Sequence, residues 1–136
     1  MILLDTSYLI ALALPEDSLH GRALAWTHHL SDPFFTSEFV LCEFVNGLSS
    51  CRNRRRAHKL LANLRANDDI DIEPSRQDLF EAGLHLHADR PDQTWSLTDC
   101  ISFVLMKEAG SIEALTHDHH FEQAGFRALL REEPKA

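Results

Sequence analysis

The sequence is poor in cysteine and glycine, and both shortages exclude classes of protein. Its three cysteines, Cys42, Cys51 and Cys100, are an odd number without a CxxC pair. They predict neither a disulfide framework nor a thiolate zinc site, and they favour a reducing, cytoplasmic location. The five glycines stand singly, so the chain has no glycine-rich phosphate loop or dinucleotide fingerprint. No GxSxG or Cys–His pattern indicates a nucleophilic hydrolase.

A long hydrophobic run is also missing, although the N-terminus is apolar. The segment MILLDTSYLIALALPED has no Lys or Arg before its apolar residues, is interrupted by Asp5 and ends near Pro15. A signal peptide requires a basic start, and a membrane span requires about 20 unbroken apolar residues. We therefore predict a buried strand followed by a helix, in a protein without a membrane segment.

Positive charge is scarce as well. The 136 residues include 13 Lys and Arg against 21 Asp and Glu, for a net charge of -8. This balance argues against a protein that coats nucleic acid by charge alone, but a nuclease stays open because a bound metal ion changes the local potential. One basic stretch indicates a solvated helix face, a phosphate-contacting edge or a partner interface; its residues are Arg52, Arg54, Arg55, Arg56 and Lys59.

Short apolar runs alternate with helical periodicities along the chain. Strands are predicted at residues 1–4, 34–36, 70–73, 112–115 and 126–130. Helices are predicted at 8–14, 20–30, 75–86, 100–109 and 121–124, with a helical hairpin over 37–67. Ser75 and Asp78 predict a capping box for one of these helices. The alternation predicts one α/β domain over residues 1–136, with three layers: a mostly parallel sheet of four or five short strands and helices on both faces.

Four acidic residues occupy positions that a parallel sheet could bring together. Asp5 and Asp118 follow predicted strands, Asp99 lies in the first turn of a helix, and Glu43 lies within the helix after the second strand. Ligands bind at the carboxyl ends of parallel strands. Clustered carboxylates repel one another unless a proton or a cation intervenes, and oxygen ligands suit Mg²⁺ or Mn²⁺. The spacing therefore predicts a metal site.

Each of these acids also has a purely structural interpretation. Asp5 could cap a helix or form a turn, and Asp118 could be a turn residue. Asp99 completes a capping box with Ser96, a role that is compatible with metal binding. Glu43 could face solvent, although its apolar neighbours make that position costly for an unpaired acid.

Two other kinds of site are alternatives to the acidic metal site. The histidines could indicate zinc or non-haem iron, but HExxH spacing is absent and we expect surface side chains at His85, His87, His117, His119 and His120. A phosphatase or phospho-acceptor of the doubly wound type would also place Asp after the first strand. Such proteins need a second nearby acid, and Ser7 occupies that place.

The segments MILLDTSYLIAL, FVLCEFVNGL, WSLTDCISFVLM and ALTHDHHFEQAGFRAL together resemble the motif series of PIN-domain ribonucleases, in particular VapC-type toxins of prokaryotic toxin–antitoxin pairs. The resemblance spans almost the whole chain. It implies a PIN-like fold and a Mg²⁺- or Mn²⁺-dependent endoribonuclease. Its acidic quartet matches Asp5, Glu43, Asp99 and Asp118, and its supporting hydroxyl positions match Thr6 or Ser7, Ser96 and Thr98.

The resemblance also implies a mechanism and partners. Asp5, Asp99 and Asp118 would hold the metal, and Glu43 would orient or deprotonate the attacking water, leaving a 5′-phosphate and a 3′-hydroxyl. The expected partners are an RNA substrate, an antitoxin segment over the site and a second copy bound through the hairpin. The hairpin has more apolar residues than one helix face needs, which would suit an interface: Phe39, Leu41, Val45 and Leu48. A non-catalytic α/β binding module is the alternative function, and it gives no reason for four acids to gather at strand ends.

Overall fold

A computed structural model describes residues 1–135 and has five short strands. The strands are β1 (Ile2–Leu4), β2 (Phe34–Ser37), β3 (Ile70–Glu73), β4 (Glu113–Leu115) and β5 (Arg127–Ala128). All of them pair in parallel, in the order β3-β2-β1-β4-β5. The predicted parallel sheet is confirmed. β1 lies at its centre, which explains why Ile2–Leu4 is apolar at every position.

Seven α-helices connect the strands. They are α1 (Thr6–Ala13), α2 (His20–His29), α3 (Glu38–Gly47), α4 (Cys51–Ala66), α5 (Gln77–Asp89), α6 (Leu97–Ala109) and α7 (His119–Gln123). Among the described residues no helix is both long and apolar enough to cross a membrane. Cys42, Cys51 and Cys100 are all free thiols.

Helices cover both faces of the sheet and form two hydrophobic cores. Side chains alternate along a strand, so Ile2 and Leu4 pack into one core while Leu3 packs into the other. The first core takes the apolar faces of α1, α2, α3 and α4, and the second takes those of α5, α6 and α7. The predicted three-layer α/β architecture is therefore present.

Close contact between α5 and α6 fixes the second layer. Gly83 faces Ile101 so closely that a Cβ at this position would collide with the isoleucine side chain. Gly110 ends α6 in the left-handed conformation, with φ of 66°, as its place after the apolar stripe predicts. The contact at Ile101 holds the N-terminal part of α6 against α5, and this part of the helix carries Asp99.

Three details differ from the sequence-based predictions. Arg76, not Ser75, is the N-cap residue of α5, and no side chain caps that helix; Arg76 instead pairs with Glu73 and Glu108. The last strand contains two residues and is followed by a 3₁₀ turn over Leu129–Arg131. In the hairpin, Leu41 and Leu48 are buried in the first core, so they are not available for a partner.

Candidate active site

The acidic residues lie at the carboxyl edge of the two central strands. From β1 the chain passes outward to β2 and β3, and it then returns to pair β4 with the other side of β1. The connections that follow β1 and β4 therefore lead toward opposite edges of the sheet. Such a switch point is where open parallel sheets bind ligands. The backbone N–H of Asp5 donates to the carbonyl of Leu115 at 3.2 Å, which ties the two strand ends together.

Asp5 is buried at this edge, with 5% of its surface exposed. It occupies the N-cap position of α1, but its side chain makes no capping hydrogen bond. The hydroxyl of Thr116 donates to Asp5 Oδ2 at 2.7 Å. Burial raises the pKa of Asp5 to about 7, the charges of Asp99 and Glu43 raise it further, and the hydrogen bonds from Thr116 and the Thr6 backbone oppose the rise. A carboxylate in this position is strongly destabilised without a cation or a proton.

Glu43 reaches the same edge from α3. Ser37 begins this helix by accepting a hydrogen bond from the backbone of Val40, so Glu43 lies in its second turn, half-buried. The hydroxyl of Thr6 donates to Glu43 Oε1 at 2.6 Å. That bond leaves the other carboxylate oxygen without a protein partner among residues 1–135.

Asp99 enters from the first turn of α6. The backbone of Asp99 donates to Ser96 Oγ at 3.0 Å, and the backbone of Ser96 donates to Asp99 Oδ2 at 3.2 Å. The predicted capping box is therefore confirmed, and it fixes the carboxylate in place. Burial and the charge of Asp118 raise the pKa of Asp99, whereas hydrogen bonds from His120 and Ser96 lower it.

Asp118 completes the cluster from the N-terminus of α7. Its Oδ1 accepts the backbone N–H of His120 at 2.9 Å and so caps the helix. Its own N–H donates to Thr116 Oγ1 at 3.0 Å. Because the same hydroxyl donates to Asp5, Thr116 links the loop of Asp118 to the end of β1. Ser7 lies beside it, with its Oγ 3.3 Å from Thr116 Oγ1 and accepting the N–H of His117 at 3.0 Å.

Two contacting residues were missed by the sequence analysis. Thr116 is fully buried, but a threonine after a strand has no distinctive signal; only its place between Leu115 and Asp118 points to the site. His120 was expected at the surface, and this is wrong: its Nδ1 lies 3.1 Å from Asp99 Oδ2. Its proximity to Asp118 in the sequence was the available signal. The other four histidines considered are exposed, as predicted.

The structure thus brings the four predicted acids into one connected network. Thr6, Ser7 and Ser96 contact this network as supporting hydroxyls, whereas Thr98 makes no side-chain hydrogen bond within the described part of the chain. Over residues 1–135, no Lys or Arg side chain bonds to any of the four carboxylates.

The donor chemistry of this network fits a hard divalent cation. Hard divalent ions prefer carboxylate and hydroxyl oxygens, and a cation would relieve the repulsion that raises the pKa of Asp5. A second grouping overlaps the network, because ligand atoms of Asp118, His119 and His120 lie within 4.8 Å of one another. That grouping would suit a softer ion.

The basic stretch lies on the first half of α4. Arg56 and Lys59 line one cavity with Leu12, Ala13 and Pro15 at the C-terminal end of α1. The acids gather at the opposite end of α1, where Thr6 contacts Glu43. Arg56 is held by Glu16 at 2.7 Å, and Arg54 Nε donates to the carbonyl of Ser49 at 2.6 Å. The other three are exposed and have no ion pair within residues 1–135: Arg52, Arg55 and Lys59.

Comparison with known proteins places the chain in a family. Residues 2–127 match the PIN domain family. The chain is 30% identical over 129 residues to the 23S rRNA-specific endonuclease VapC20 of Mycobacterium tuberculosis, covering 93% of this chain and 95% of that protein. The crystal structure of M. tuberculosis VapC20, described as a sarcin-ricin loop cleaving toxin, aligns with a TM-score of 0.85 and 28% identity over 93% of this chain and 96% of that one. FitAcB from Neisseria gonorrhoeae shares the fold, with a TM-score of 0.67 and 19% identity over 94% and 95% of the two chains. The chain belongs to the PIN domain family.

Proposed function

We propose that this protein is a metal-dependent endoribonuclease and the toxin of a toxin–antitoxin pair. The observation that carries the proposal is the network of four carboxylates at the ends of β1 and β4, in which Asp5 is buried and its pKa is raised to about 7. A non-catalytic binding module has no use for such a costly arrangement. A nuclease does, because the destabilised carboxylates bind a cation tightly.

In this proposal Asp5, Asp99 and Asp118 hold Mg²⁺ or Mn²⁺. When bound, the ion lowers the pKa of water and neutralises charge on the phosphodiester. Glu43 orients the attacking water and accepts its proton through the carboxylate oxygen that Thr6 leaves free. In-line attack of this water on phosphorus then breaks the bond to the 3′-oxygen, which takes up a proton from solvent. The products are a 3′-hydroxyl and a 5′-phosphate. Ser96 and Thr116 keep the acidic side chains in position.

The proposed substrate is structured ribosomal RNA. The relative VapC20 is named as specific for 23S rRNA and described as cleaving the sarcin-ricin loop, and the alignment with it extends over nearly the full length of both chains. In this proposal the exposed cations of α4 form a phosphate-binding edge for the same RNA, at Arg52, Arg55 and Lys59, with Arg54 and Arg56 next to them. They compensate locally for the net charge of -8.

A cleavage assay tests the proposed activity directly. Purified protein is incubated with bacterial ribosomes and with free 23S rRNA, in Mn²⁺ or in EDTA, and the cut site is mapped by primer extension. We expect one major cut with metal and none with EDTA. Equal cleavage in EDTA would contradict the metal dependence. Failure to cut RNA or to bind Mn²⁺ would favour the binding module.

The proposed partners are an antitoxin and a second copy of the chain, in the cytoplasm. Expression of the wild type alone should slow bacterial growth, whereas Asp5→Asn should not. For the dimer, the support is an apolar surface on α3 and α5, where Phe39 and Phe80 stack with centroids 6.2 Å apart and Phe80 and Leu84 are each more than a third exposed. Light scattering that shows only a monomer over a wide concentration range would contradict the dimer.

A further inference from the structure

His120 uses both nitrogens of its ring within the acidic network. Its Nδ1 lies 3.1 Å from Asp99 Oδ2 and 3.3 Å from Asp118 Oδ1. Its Nε2 lies 3.2 Å from the hydroxyl of Thr94. Because an ionised carboxylate can only accept, these contacts assign the proton to Nδ1. In the neutral ring, Nε2 then accepts the hydroxyl proton of Thr94.

This arrangement joins two acids that come from different helices. Asp99 is held by α6 and Asp118 by α7, and the charge of Asp118 acts unfavourably on Asp99. The Nδ1–H group is shared between the two carboxylates, so it offsets their mutual repulsion and sets their separation. The imidazole is 18% exposed, and Thr94 restrains its rotation from the solvent side.

We propose that His120 is a positioning residue for the metal site. This positioning role rests on the proposed function, since it assumes that Asp99 and Asp118 are metal ligands. His120 holds these two carboxylates ready to receive the cation, and Thr94 orients the ring. His120 thereby adds an imidazole and the Thr94 hydroxyl to the network of four acids. Removing an outer partner of a ligating carboxylate typically lowers metal affinity about 10- to 100-fold.

The neighbouring His119 provides a matched control. Its side chain is 58% exposed, and its Nδ1 lies 3.9 Å from Asp118 Oδ1, beyond hydrogen-bond distance. The two imidazole rings lie near each other, with centroids 4.5 Å apart. His119 therefore shares the helix, the residue type and the surroundings of His120, but it has no contact that joins Asp99 to Asp118.

The test measures Mn²⁺ binding by titration calorimetry on four folded proteins: wild type, His120→Ala, His120→Asn and His119→Ala. We expect His120→Ala to weaken Mn²⁺ affinity about tenfold or more. The Asn amide nitrogen can replace Nδ1 as a donor, so His120→Asn should stay within about threefold of wild type. His119→Ala should bind as the wild type does.

Several outcomes would overturn the positioning role. Unchanged Mn²⁺ affinity in His120→Ala would show that the contact of His120 with Asp99 and Asp118 is not needed for metal binding. Equal losses in His119→Ala and His120→Ala would indicate that both imidazoles are direct ligands, as in the mixed grouping with Asp118. A loss in His120→Asn as large as in His120→Ala would show that the imidazole itself binds the ion.

Thr94 gives a second test that does not alter the imidazole. Thr94→Val removes the hydroxyl that orients His120, whereas Thr94→Ser retains it. We expect a loss of Mn²⁺ affinity of about threefold in the Val variant and none in the Ser variant; identical affinities would contradict the orienting role.

Absence of Mn²⁺ binding in the wild type would overturn both this proposal and the proposed function. Normal wild-type binding and cleavage with an unaffected His120→Ala would overturn only this one.

Discussion

The two halves of the acidic network are held in different ways. In the β1 half, Asp5 and Glu43 receive side-chain hydrogen bonds only from the neutral hydroxyls of Thr116 and Thr6. In the α6–α7 half, Asp99 and Asp118 share the imidazole of His120 and also accept backbone N–H groups at helix N-termini. Helix N-termini stabilise negative charge. The α6–α7 half therefore has an imidazole that joins its two acids, whereas the β1 half has no such residue within residues 1–135. In both halves one acid, Asp5 or Asp99, has a raised pKa and is stabilised by a proton or a cation.

The largest expected effect comes from breaking the β1 half at its centre. Asp5→Asn keeps the shape of the side chain and an oxygen that can accept from Thr116, but it removes the charge that binds metal. We expect metal-dependent RNA cleavage to fall by at least about 100-fold. Single-turnover cleavage in Mn²⁺ measures the loss, with circular dichroism to verify folding.

A matched control separates the site from a general change in charge. Asp71 lies on β3 with its side chain exposed, so Asp71→Asn removes one negative charge outside the network. Its cleavage rate should equal that of the wild type. Retained cleavage in folded Asp5→Asn would show that the β1 half is not the metal centre.

The second prediction concerns stability and pH in the absence of metal. Burial raises the pKa of Asp5 from 3.8 to about 7, so between these values the folded protein holds a proton that the unfolded chain has released. Stability from this group is therefore present at low pH and is lost as the pH rises toward and past 7. The loss between pH 5 and pH 8 is roughly 2–3 kcal/mol. The raised pKa of Asp99 acts in the same direction.

Urea unfolding in EDTA at pH 5 and pH 8 measures this effect. The difference between the wild type and Asp5→Asn isolates the contribution of Asp5, because all other residues are the same in both proteins. Saturating Mn²⁺ at pH 8 should restore about 2.7 kcal/mol to the wild type at 100 times the dissociation constant and little to Asp5→Asn. If the free energy of unfolding changed between pH 5 and pH 8 by the same amount in the wild type and in Asp5→Asn, the prediction would be contradicted.

The third prediction breaks the connection between the two halves. Thr116→Val removes a buried hydroxyl that donates to Asp5 and accepts from the backbone of Asp118. We expect a loss of about 1–3 kcal/mol in the free energy of unfolding, since the partly buried N–H of Asp118 loses its acceptor. The pKa of Asp5 should rise further because a stabilising donor is lost. Thr116→Ser keeps the hydroxyl and is the control; equal stabilities in the two variants would argue against the link.

Much of this fold could be predicted from the pattern of apolar residues. The run at Ile2–Leu4 and the helical spacing at Val40, Leu41 and Phe44 reflect burial against the sheet. Burial of this kind can be predicted from the spacing of apolar residues along the chain. Asp5 and Asp118 follow strands, so the parallel topology alone brings them to one edge. Glu43 is a candidate because apolar residues surround it in the sequence, and the family resemblance assigns it to the acidic quartet.

The rest of the site depends on geometry that the sequence does not encode locally. His119 and His120 are adjacent and chemically identical, and only the start of α7 at Asp118 decides which ring turns toward Asp99. Thr116 matters because two strand ends meet across the sheet, which is a long-range contact. Leu41 and Leu48 seemed available to a partner because a linear pattern does not show that the sheet side of α3 already buries them.

The smallest expected effect concerns RNA binding by the basic stretch of α4, which packs in the same layer as α1 and α3. Arg52, Arg55 and Lys59 are exposed and without ion pairs within residues 1–135. Each phosphate contact that is lost should reduce the dependence of log affinity on log salt by about 0.7 for single-stranded RNA. We expect Arg55→Ala to weaken RNA binding by a few-fold, and less at high salt.

Binding is measured in the Asp5→Asn background, where RNA stays intact, by fluorescence anisotropy over a series of salt concentrations. The control is Arg127→Ala. Arg127 pairs with Glu113 and Glu132 at the start of β5, which lies at the opposite edge of the parallel sheet from the acids. If Arg55→Ala and Arg127→Ala give the same salt slope as the parent, α4 does not contact RNA. If only Arg55→Ala lowers it, α4 supplies positive charge for RNA binding that the acidic network itself lacks.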